Sequence, residues 1–423
     1  MFWLAGFAGL FLTLTLPVSI YFRAGEINFD EARCYFPAVQ QLRDKFPHVD
    51  LFKDSLSANP PGYTQLLAGL SLLSGQSVPW VRFWHNLVSL FGAIALLVIF
   101  ARLCRPSAFF IMLPVVLSPF YLKQACVLST DNLALALSGI ALAHLLFRNR
   151  HPWACIIVGL LVAGAIYVRQ ISAWLLATIL ITLLVTEKGA KGRRIQGILL
   201  LILILCFILL FQLLIAWKGL VPPRFQSAHA GLSLTGVAYS ISLLGLFAPF
   251  FFSKETLFPQ KKWQRPLIWA GSLGVLLFIL APTAPSYQDG RWGGVLWSLA
   301  SRGPLIADRS LLFLPLLFFG CFSMVQIIHA IYNADKKKAL TWCAGFFAWV
   351  ATSIPNHQIF HRYFEGPVLL FLGTAACVTL QNGKKWKIKI CVFCVTFLTL
   401  GVVANYFTDN GFTSGQILKI GGK

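Results

Sequence analysis

Long apolar runs recur along the whole chain and constrain its fold more than any other feature. The first begins beside Met1, and further runs able to cross about 30 Å of hydrocarbon follow along the sequence. Within lipid, only helices and closed barrels satisfy their backbone hydrogen bonds internally, and the runs lack the alternation of barrel strands. With 57% hydrophobic and 12% charged residues, the chain is predicted to be an all-α polytopic membrane protein.

Hydropathy predicts thirteen transmembrane spans. They are 2–22, 80–101, 107–122, 131–147, 154–168, 171–186, 195–217, 232–252, 267–284, 310–332, 339–355, 363–381 and 388–407. The first carries no small-residue processing cue, so we expect it to be an anchor. The apolar segment 62–74 is interpreted as a juxtamembrane helix in the first outer loop, 23–79, because a span there would invert every later loop. We expect a catalytic module, 1–252, and a C-terminal module, 253–423, that completes a cavity for the donor lipid.

Charge gives the predicted orientation. The net charge of +21 is interpreted as the positive-inside bias of cytoplasmic loops, with no nucleic-acid partner. Basic residues occupy alternate connections: Arg102 and Arg105; Arg148 and Arg150; Lys188, Lys191, Arg193 and Arg194; Lys254, Lys261, Lys262 and Arg265; Lys336–Lys338; and Lys384, Lys385, Lys387 and Lys389. The remaining connections are then extracytoplasmic. The absence of an Asn-x-Ser/Thr sequon favours a bacterial or archaeal plasma membrane over the endoplasmic reticulum.

Seven sequence blocks follow one another at the predicted outer side. They are FDEARCYFPAVQQ (29–41), NPPGYTQLLAGL (59–70), VRFWHNL (81–87), STDNLALALS (129–138), YVRQISAW (167–174), AWKGLVPPRFQSAHAG (216–231) and HRYFEGPVLLF (361–371). In this order they resemble the GT-C glycosyltransferases, integral membrane enzymes that use polyprenyl-phosphate sugars. Within that superfamily the resemblance is to the dolichyl-phosphate-glucose-dependent alpha-1,2-glucosyltransferases. The sequence VPPRFQ departs from that family, which carries an acidic residue before the arginine.

The resemblance implies a GT-C fold and an inverting transferase. Its donor would be a polyprenyl-phosphate hexose, glucose in this branch, and its acceptor a hydroxyl of a lipid-linked or cell-envelope glycan, with the active site extracytoplasmic. A lipid-linked saccharide polymerase or flippase and a membrane transporter remain alternatives. Against transport, the span interiors carry few charges, and no pair of matching interrupted halves is visible.

The acidic pair Asp30–Glu31 follows the first span and supplies the candidate catalytic residues. Asp30 is the candidate base that accepts the proton of the acceptor hydroxyl. Glu31 either acts on Asp30 as a neighbouring like charge or contacts the acceptor, and either acid is a candidate for the base. The alternative is a solvated pair neutralised by Arg33.

Cationic and polar residues at the same side are candidates for binding substrate. An arginine is costly at membrane depth unless it pairs or lines a polar cavity, and its guanidinium holds phosphate in bidentate geometry. The predicted donor-phosphate ligands are Arg169, Gln170, His361 and Arg362. The predicted substrate-binding residues are Asp131, Arg224, His229 and Tyr363. The alternatives are interfacial anchoring for the arginines, capping of a helix by Asp131 and a solvated loop for Arg224 and His229.

No cofactor or metal site is predicted, although divalent-metal dependence stays open. His357 and His361 are four residues apart, a helical chelate spacing, but Pro355 makes a regular helix there doubtful. The glycine- and tryptophan-rich segment 286–303 is interpreted as a mobile lid, as a sugar-stacking surface or as an interfacial aromatic belt.

Overall fold

The computed structural model describes residues 2–22, 26–27, 30–45, 48–51, 56–147, 152–186, 189–229, 231–257, 264–287, 290–356, 358–379, 393–394 and 418–419. The α-helices are α1 Phe2–Pro17, α2 Phe36–Lys45, α3 Gly62–Ser71, α4 Val78–Leu103, α5 Ala108–Val116, α6 Pro119–Cys126, α7 Asp131–Phe147, α8 Pro152–Val168, α9 Trp174–Val185, α10 Ala190–Trp217, α11 Pro223–His229, α12 Thr235–Phe251, α13 Lys254–Leu257, α14 Gln264–Leu280, α15 Val295–Ala300, α16 Phe313–Ala334, α17 Lys336–Thr352 and α18 Glu365–Thr379.

Four short strands and four tighter helical turns complete the described structure. The strands are β1 Glu26–Ile27, β2 Leu305–Ile306, β3 Arg309–Ser310 and β4 Leu418–Lys419, with β1 antiparallel to β4 and β2 antiparallel to β3. Val18–Phe22 and Glu31–Tyr35 are π-helical, and Gln170–Ala173 and His361–Tyr363 are 3₁₀ turns.

The helices form a polytopic membrane fold. In the described part of the chain, four helices are long and apolar enough to cross a membrane: Trp3–Ile20, Val78–Leu103, Ala190–Trp217 and Phe313–Ala334. Shorter apolar helices pack among them. Bulky apolar side chains stay exposed along α10, such as Leu201, Phe207 and Phe211, as expected of a surface that faces lipid. Twelve of the predicted spans coincide with these helices or with helix pairs. The thirteenth, 388–407, lies outside the described residues except for 393–394.

The predicted span 107–122 is not one straight helix. It is divided between α5 and α6, which meet at an angle of 58°. Pro119 lacks the N–H that a continuing helix needs and is favoured at a helix start. The Ser118 hydroxyl caps the new helix by accepting a hydrogen bond from the Tyr121 N–H at 3.2 Å. After this bend, α6 ends at Cys126, shortly before α7 begins at Asp131.

The first outer loop contains the juxtamembrane helix predicted at 62–74, observed as α3. Its ten residues extend about 15 Å, half the thickness of the hydrocarbon core. Tyr63 and Leu67 of α3 are buried against Val39 of α2 and Val81 of α4, in a cluster that also includes Val168 of α8. The loop is thus a folded element fixed on the ends of several long helices.

Contacts gather the helix ends into two groups. At one end Arg105 donates from Nη2 to the carbonyl oxygen of Cys377 at 3.2 Å, and the Lys338 ammonium lies 5.3 Å from the ring centroid of Phe147. The other end carries the outer-loop helices. The 26 residues of α4 separate the two ends by about 39 Å. The division into modules at 252/253 stays a prediction, and α12 packs directly against α16 and α18 across it.

Candidate active site

An acid and an arginine far apart in sequence meet at the end that carries the outer-loop helices. Asp30 is the N-cap residue of the π-helical turn Glu31–Tyr35, and Arg362 lies in the 3₁₀ turn before α18. Arg362 Nη2 donates to Asp30 Oδ2 at 2.8 Å and to the Tyr363 hydroxyl at 3.2 Å. The Arg362 and Asp30 side chains remain 25% and 33% exposed. The pair is therefore positioned by the fold and still accessible to a ligand.

A second acid–arginine pair lies beside the first. Arg169 follows the last residue of α8 in an extended conformation, with φ −157° and ψ 115°, and its guanidinium forms an ion pair with Asp131 at the start of α7. The Ser129 hydroxyl donates to the other Asp131 oxygen at 2.7 Å. The Asp131 N–H in turn donates to the Ser129 hydroxyl oxygen at 3.1 Å. Ser129 therefore fixes Asp131, which pairs with Arg169.

The ring of Tyr363 connects the two arginines. The guanidinium carbon of Arg169 lies 4.6 Å from its centroid, and that of Arg362 lies 5.1 Å away. Both distances fall within the range of cation–π attraction. Two like charges are tolerated here because two carboxylates and a ring quadrupole compensate them.

Glu31 points away from Asp30 and is completely buried. Its carboxylate accepts two hydrogen bonds from Arg82 of α4, at 3.0 Å from Nε and 2.6 Å from Nη2, and one from the Leu128 N–H at 2.8 Å. This burial argues against the contact with an acceptor that the sequence suggested for Glu31. The arginines that neutralise the acidic pair are Arg82 and Arg362.

Tyr35, the last residue of the turn that follows Asp30, contacts the first-loop motif NPPGY. Its hydroxyl accepts a hydrogen bond from Asn59 Nδ2 at 3.1 Å. Burial raises the pKa of the Tyr35 phenol, and the negative charge of Asp30 raises it further. Burial also raises the pKa of the neighbouring Cys34 thiol to about 11. Both groups are therefore neutral at physiological pH.

His361 is buried in a hydrogen-bonded chain rather than facing a ligand. Nε2 lies 2.5 Å from Glu365 Oε2, and Nδ1 bonds the hydroxyl of Tyr239 from α12. Because a carboxylate accepts, a neutral His361 donates from Nε2 and accepts at Nδ1. With both ring nitrogens engaged, His361 supports the turn that presents Arg362, in place of the direct phosphate contact predicted from the sequence.

The segment 286–303 packs against this turn. Trp297 is buried, stacks on Tyr239 at 4.8 Å between centroids and donates from Nε1 to the Ile359 carbonyl oxygen at 2.9 Å. Gly294 has φ +94°, and a Cβ there would lie 2.5 Å from His361 Cβ. The described part of this segment thus packs against the turn that carries Arg362, and its mobility stays a prediction.

The remaining predicted ligands lie around the pairs with weaker connections to them. Gln170 donates from Nε2 to the Ala58 carbonyl oxygen at 3.1 Å, which ties the first loop to the end of α8. His229 pairs through Nδ1 with Asn356 Oδ1 at 3.2 Å, and burial lowers its pKa; it is therefore uncharged at neutral pH. Arg224 is exposed, 5.8 Å from the ring centroid of Phe225.

A cavity of about 70 Å³ adjoins the ion pairs and is lined by Asp131, Arg169, Arg362 and Tyr363 together with residues of α6, α7, α9 and α17. In the part of the chain that the structure describes, no three His, Cys, Asp or Glu side chains are grouped to hold a metal ion. His357 lies outside the described residues. Metal independence stays a prediction.

Sequence reasoning missed several residues that build the site. Arg82 is a charged residue inside an otherwise apolar helix, so the argument applied to Arg169 would have selected it as well. Tyr239 and Glu365 gave no such signal. Their partner His361 lies far from Tyr239 in the sequence and was predicted to contact the phosphate instead. Gln124 of α6 lay just beyond the predicted span 107–122 and carries no charge that would have marked it.

Comparison with known proteins identifies the fold. The sequence matches no family model and no curated protein sequence. The structure is similar to archaeal oligosaccharyltransferase AglB from Archaeoglobus fulgidus, solved with an inhibitory peptide and a dolichol-phosphate, with a TM-score of 0.51, 12% identity and coverage of 95% of this chain and 55% of that one. The present chain thus spans about half the length of AglB. The fold that the chain shares with AglB is the predicted all-α polytopic membrane fold.

Two structures of ArnT from Cupriavidus metallidurans are also similar. The form bound to undecaprenyl phosphate has a TM-score of 0.43 and 14% identity, and the apo form has 0.40 and 13%. Each comparison covers 94% of this chain and 78% of ArnT.

Proposed function

We propose that this protein is a polyprenyl-phosphate-dependent glycosyltransferase. The observation that carries the proposal is the contact of Asp30 with Arg362 beside the pair of Asp131 with Arg169. It brings a candidate base and two candidate phosphate ligands from four separate segments to one end of the helical bundle. AglB, whose fold this chain shares, was solved with a dolichol-phosphate, which makes a polyprenyl-phosphate donor compatible with the fold.

In the proposed reaction the acceptor hydroxyl attacks the anomeric carbon of the donor sugar. The bond from that carbon to the phosphate oxygen breaks, Asp30 takes the hydroxyl proton, and the polyprenyl phosphate leaves as a monoester. A single displacement of this kind inverts the anomeric configuration. Asp131, the other acid at the site, is engaged by Arg169 and Ser129, which favours this route over a covalent intermediate.

Charge is conserved throughout this step. Two arginines and two carboxylates give the empty site no net charge, so the donor phosphodiester brings it to minus one. Proton transfer neutralises Asp30 while the leaving phosphate gains one negative charge, and the total stays at minus one. The arginines stabilise charge that moves towards them, which is the electrostatic contribution expected of a preorganised site.

The two arginines retain donors for the phosphate. A guanidinium carries five N–H donors, and Arg362 directs Nη2 to Asp30 and Tyr363. Its Nε is buried with no hydrogen-bond partner among the described residues. We assign the phosphate to Arg169 and Arg362, with Tyr363 orienting both.

The other predicted residues take supporting roles in this proposal. Glu31, held by Arg82, fixes the turn that presents Asp30, and His361 fixes the turn that presents Arg362. Gln170 joins the first loop to α8. Arg224 and His229 remain candidates for contacts with the acceptor, a hydroxyl of a lipid-linked or cell-envelope glycan.

The finer assignments follow from the sequence resemblance and the charge pattern. The donor sugar is a hexose, with glucose favoured by the resemblance to the alpha-1,2-glucosyltransferases. The site lies at the end opposite the basic residues Lys336–Lys338, which supports an extracytoplasmic active site under the positive-inside bias. No metal ion is required in this proposal, because the arginines neutralise the phosphate.

Reconstitution with a panel of polyprenyl-phosphate sugars tests the proposal. We expect the unaltered protein to transfer a hexose and Asp30→Asn to lose at least about 100-fold in turnover, as for loss of a general base. Asp44→Asn, in the exposed acid of α2 that accepts a hydrogen bond from Gln76, is the matched control and should keep full turnover. Undiminished transfer by Asp30→Asn would show that Asp30 is not the base. Transfer from none of the donors would contradict the proposed activity.

A further inference from the structure

The cavity beside the ion pairs has a lining of unusual composition for the interior of a helical bundle. Its volume of about 70 Å³ is several times what one water molecule needs. Ser118, Ser138, Ser172, Trp174 and Trp349 are among the residues that line it. Hydroxyls, amides and aromatic faces are the groups that suit a polyhydroxylated ring, which has polar edges and C–H faces.

Two buried polar groups on this cavity lack protein partners. The Oε1 acceptor of Gln124, a residue only 5% exposed, has no hydrogen-bond partner among the described residues, and neither does the Nε donor of Arg362. Leaving such a group unsatisfied costs about 1–3 kcal/mol. A hydroxyl group donates and accepts, so a hydroxyl of the ligand can satisfy Gln124 Oε1 while its phosphate accepts from Arg362 Nε.

The charges at the cavity are already compensated. Asp131 pairs with Arg169, and Arg362 pairs with Asp30. After the donor phosphate binds to the arginines, a carboxylate on the sugar would add a second uncompensated negative charge. An ammonium on the sugar would compete with Arg169 for Asp131. An uncharged sugar does neither.

We propose that this cavity holds the sugar ring of the donor, that the sugar is an uncharged hexose, and that the Gln124 amide oxygen accepts a hydrogen bond from one of its hydroxyls. This inference rests on the proposed function. The ring is attached directly to the phosphate, and Arg169 and Arg362 line the same cavity. With the phosphate on those arginines, the anomeric carbon is placed beside Asp30, which lies 2.8 Å from Arg362.

The test measures how much the sugar adds to binding. The protein in lipid nanodiscs is titrated with undecaprenyl phosphate and with undecaprenyl-phosphate glucose. The ratio of the two affinities is then compared between variants. The effect of the extra charge on the monoester cancels in this comparison. Gln124→Met conserves side-chain length and removes the oxygen. We expect it to reduce the affinity ratio about tenfold, corresponding to about 1.4 kcal/mol, with the affinity for undecaprenyl phosphate unchanged.

Two further variants keep the result interpretable. Gln326→Met alters a Gln on α16 that is likewise buried and whose amide nitrogen has no partner in the described part of the chain. Gln326 does not line the cavity, so this variant should leave the ratio unchanged. Gln124→Glu keeps an acceptor oxygen, so it should still bind the glucose donor and should improve binding of an amino-sugar donor; because its charge acts more strongly on the monoester, it is compared on the two sugar donors alone. It also separates loss of the oxygen from misfolding, if Gln124→Met is unstable.

The outcomes distinguish this inference from the proposed function. An unchanged ratio in Gln124→Met overturns the sugar cavity, and equal binding of uronate and hexose donors by the unaltered protein overturns the uncharged sugar. In both cases, hexose transfer that depends on Asp30 would still support the proposed glycosyltransferase function. Absence of polyprenyl-phosphate binding and of transfer would reject both together.

Discussion

Neighbouring acids at positions 30 and 31 have opposite environments, and this separates a candidate catalytic group from a structural one. Asp30 is a third exposed and bonds Arg362, while Glu31 is completely buried against Arg82. Consecutive residues of a helical turn point about 100° apart, so adjacency in sequence does not make them a pair. Each carboxylate is instead paired with an arginine of another segment.

Glu31→Gln should therefore destabilise the protein, in contrast to Asp30→Asn. Removing one partner of a buried ion pair leaves an uncompensated charge and costs about 3–5 kcal/mol, whereas the exposed pair of Asp30 contributes about 1 kcal/mol or less. Thermal unfolding in detergent, followed for both variants, measures the difference.

The double variant Glu31→Gln, Arg82→Met supplies the control for this prediction. It removes both buried charges, so it should recover much of the lost stability. Equal melting temperatures for Glu31→Gln and the unaltered protein would contradict the structural role of Glu31.

At the level of elements, the apolar runs predicted the positions of the helices well and the geometry of their junctions poorly. Apolar runs predicted α7 at 131–147 with its observed bounds, because hydropathy directly reports what lipid requires of a span. The bend between α5 and α6 and the π-helical turn at Glu31 depend on local backbone geometry and on partners far away in sequence. Asp30, Arg169 and Arg362 were selected from the sequence because a charge near a span is costly, but their contacts needed the folded structure.

The interface of α12 with α16 depends on two glycines. A Cβ at Gly320 would overlap the backbone carbonyl of Ile241, and a Cβ at Gly245 would lie 2.5 Å from the Leu316 carbonyl oxygen. Small residues allow two helix backbones to approach closely within a membrane. This contact joins the helices on either side of the predicted module boundary.

Gly320→Ala should force these helices apart and lower stability by about 1–3 kcal/mol, the range for overpacking. Gly197→Ala is the matched control, because a Cβ at that position of α10 meets nothing within 4 Å; it should be neutral or slightly stabilising, since alanine is the better helix former. Thermal unfolding of both variants in the same detergent checks this, and a Gly320→Ala protein as stable as Gly197→Ala would contradict the close approach.

For the whole molecule, the two groups of helix ends differ in chemistry. The end near Lys336–Lys338 is basic, and the end near Asp30 carries both ion pairs and the cavity. Because one long helix separates these ends by about the thickness of a membrane, the orientation of the bundle decides which leaflet would supply the donor. From the positive-inside bias we expect the proposed donor in the outer leaflet.

Substituted-cysteine labelling tests this orientation. Ser227, on α11 beside the site, and Lys337, at the start of α17, are both exposed. We expect Ser227→Cys to react with a membrane-impermeant maleimide in intact cells and Lys337→Cys to react only after permeabilisation. The unsubstituted chain measures the background of its ten cysteines. The reverse pattern would put the ion pairs at the cytoplasmic face, where the transferase would have to draw its lipid-linked sugar from the inner leaflet.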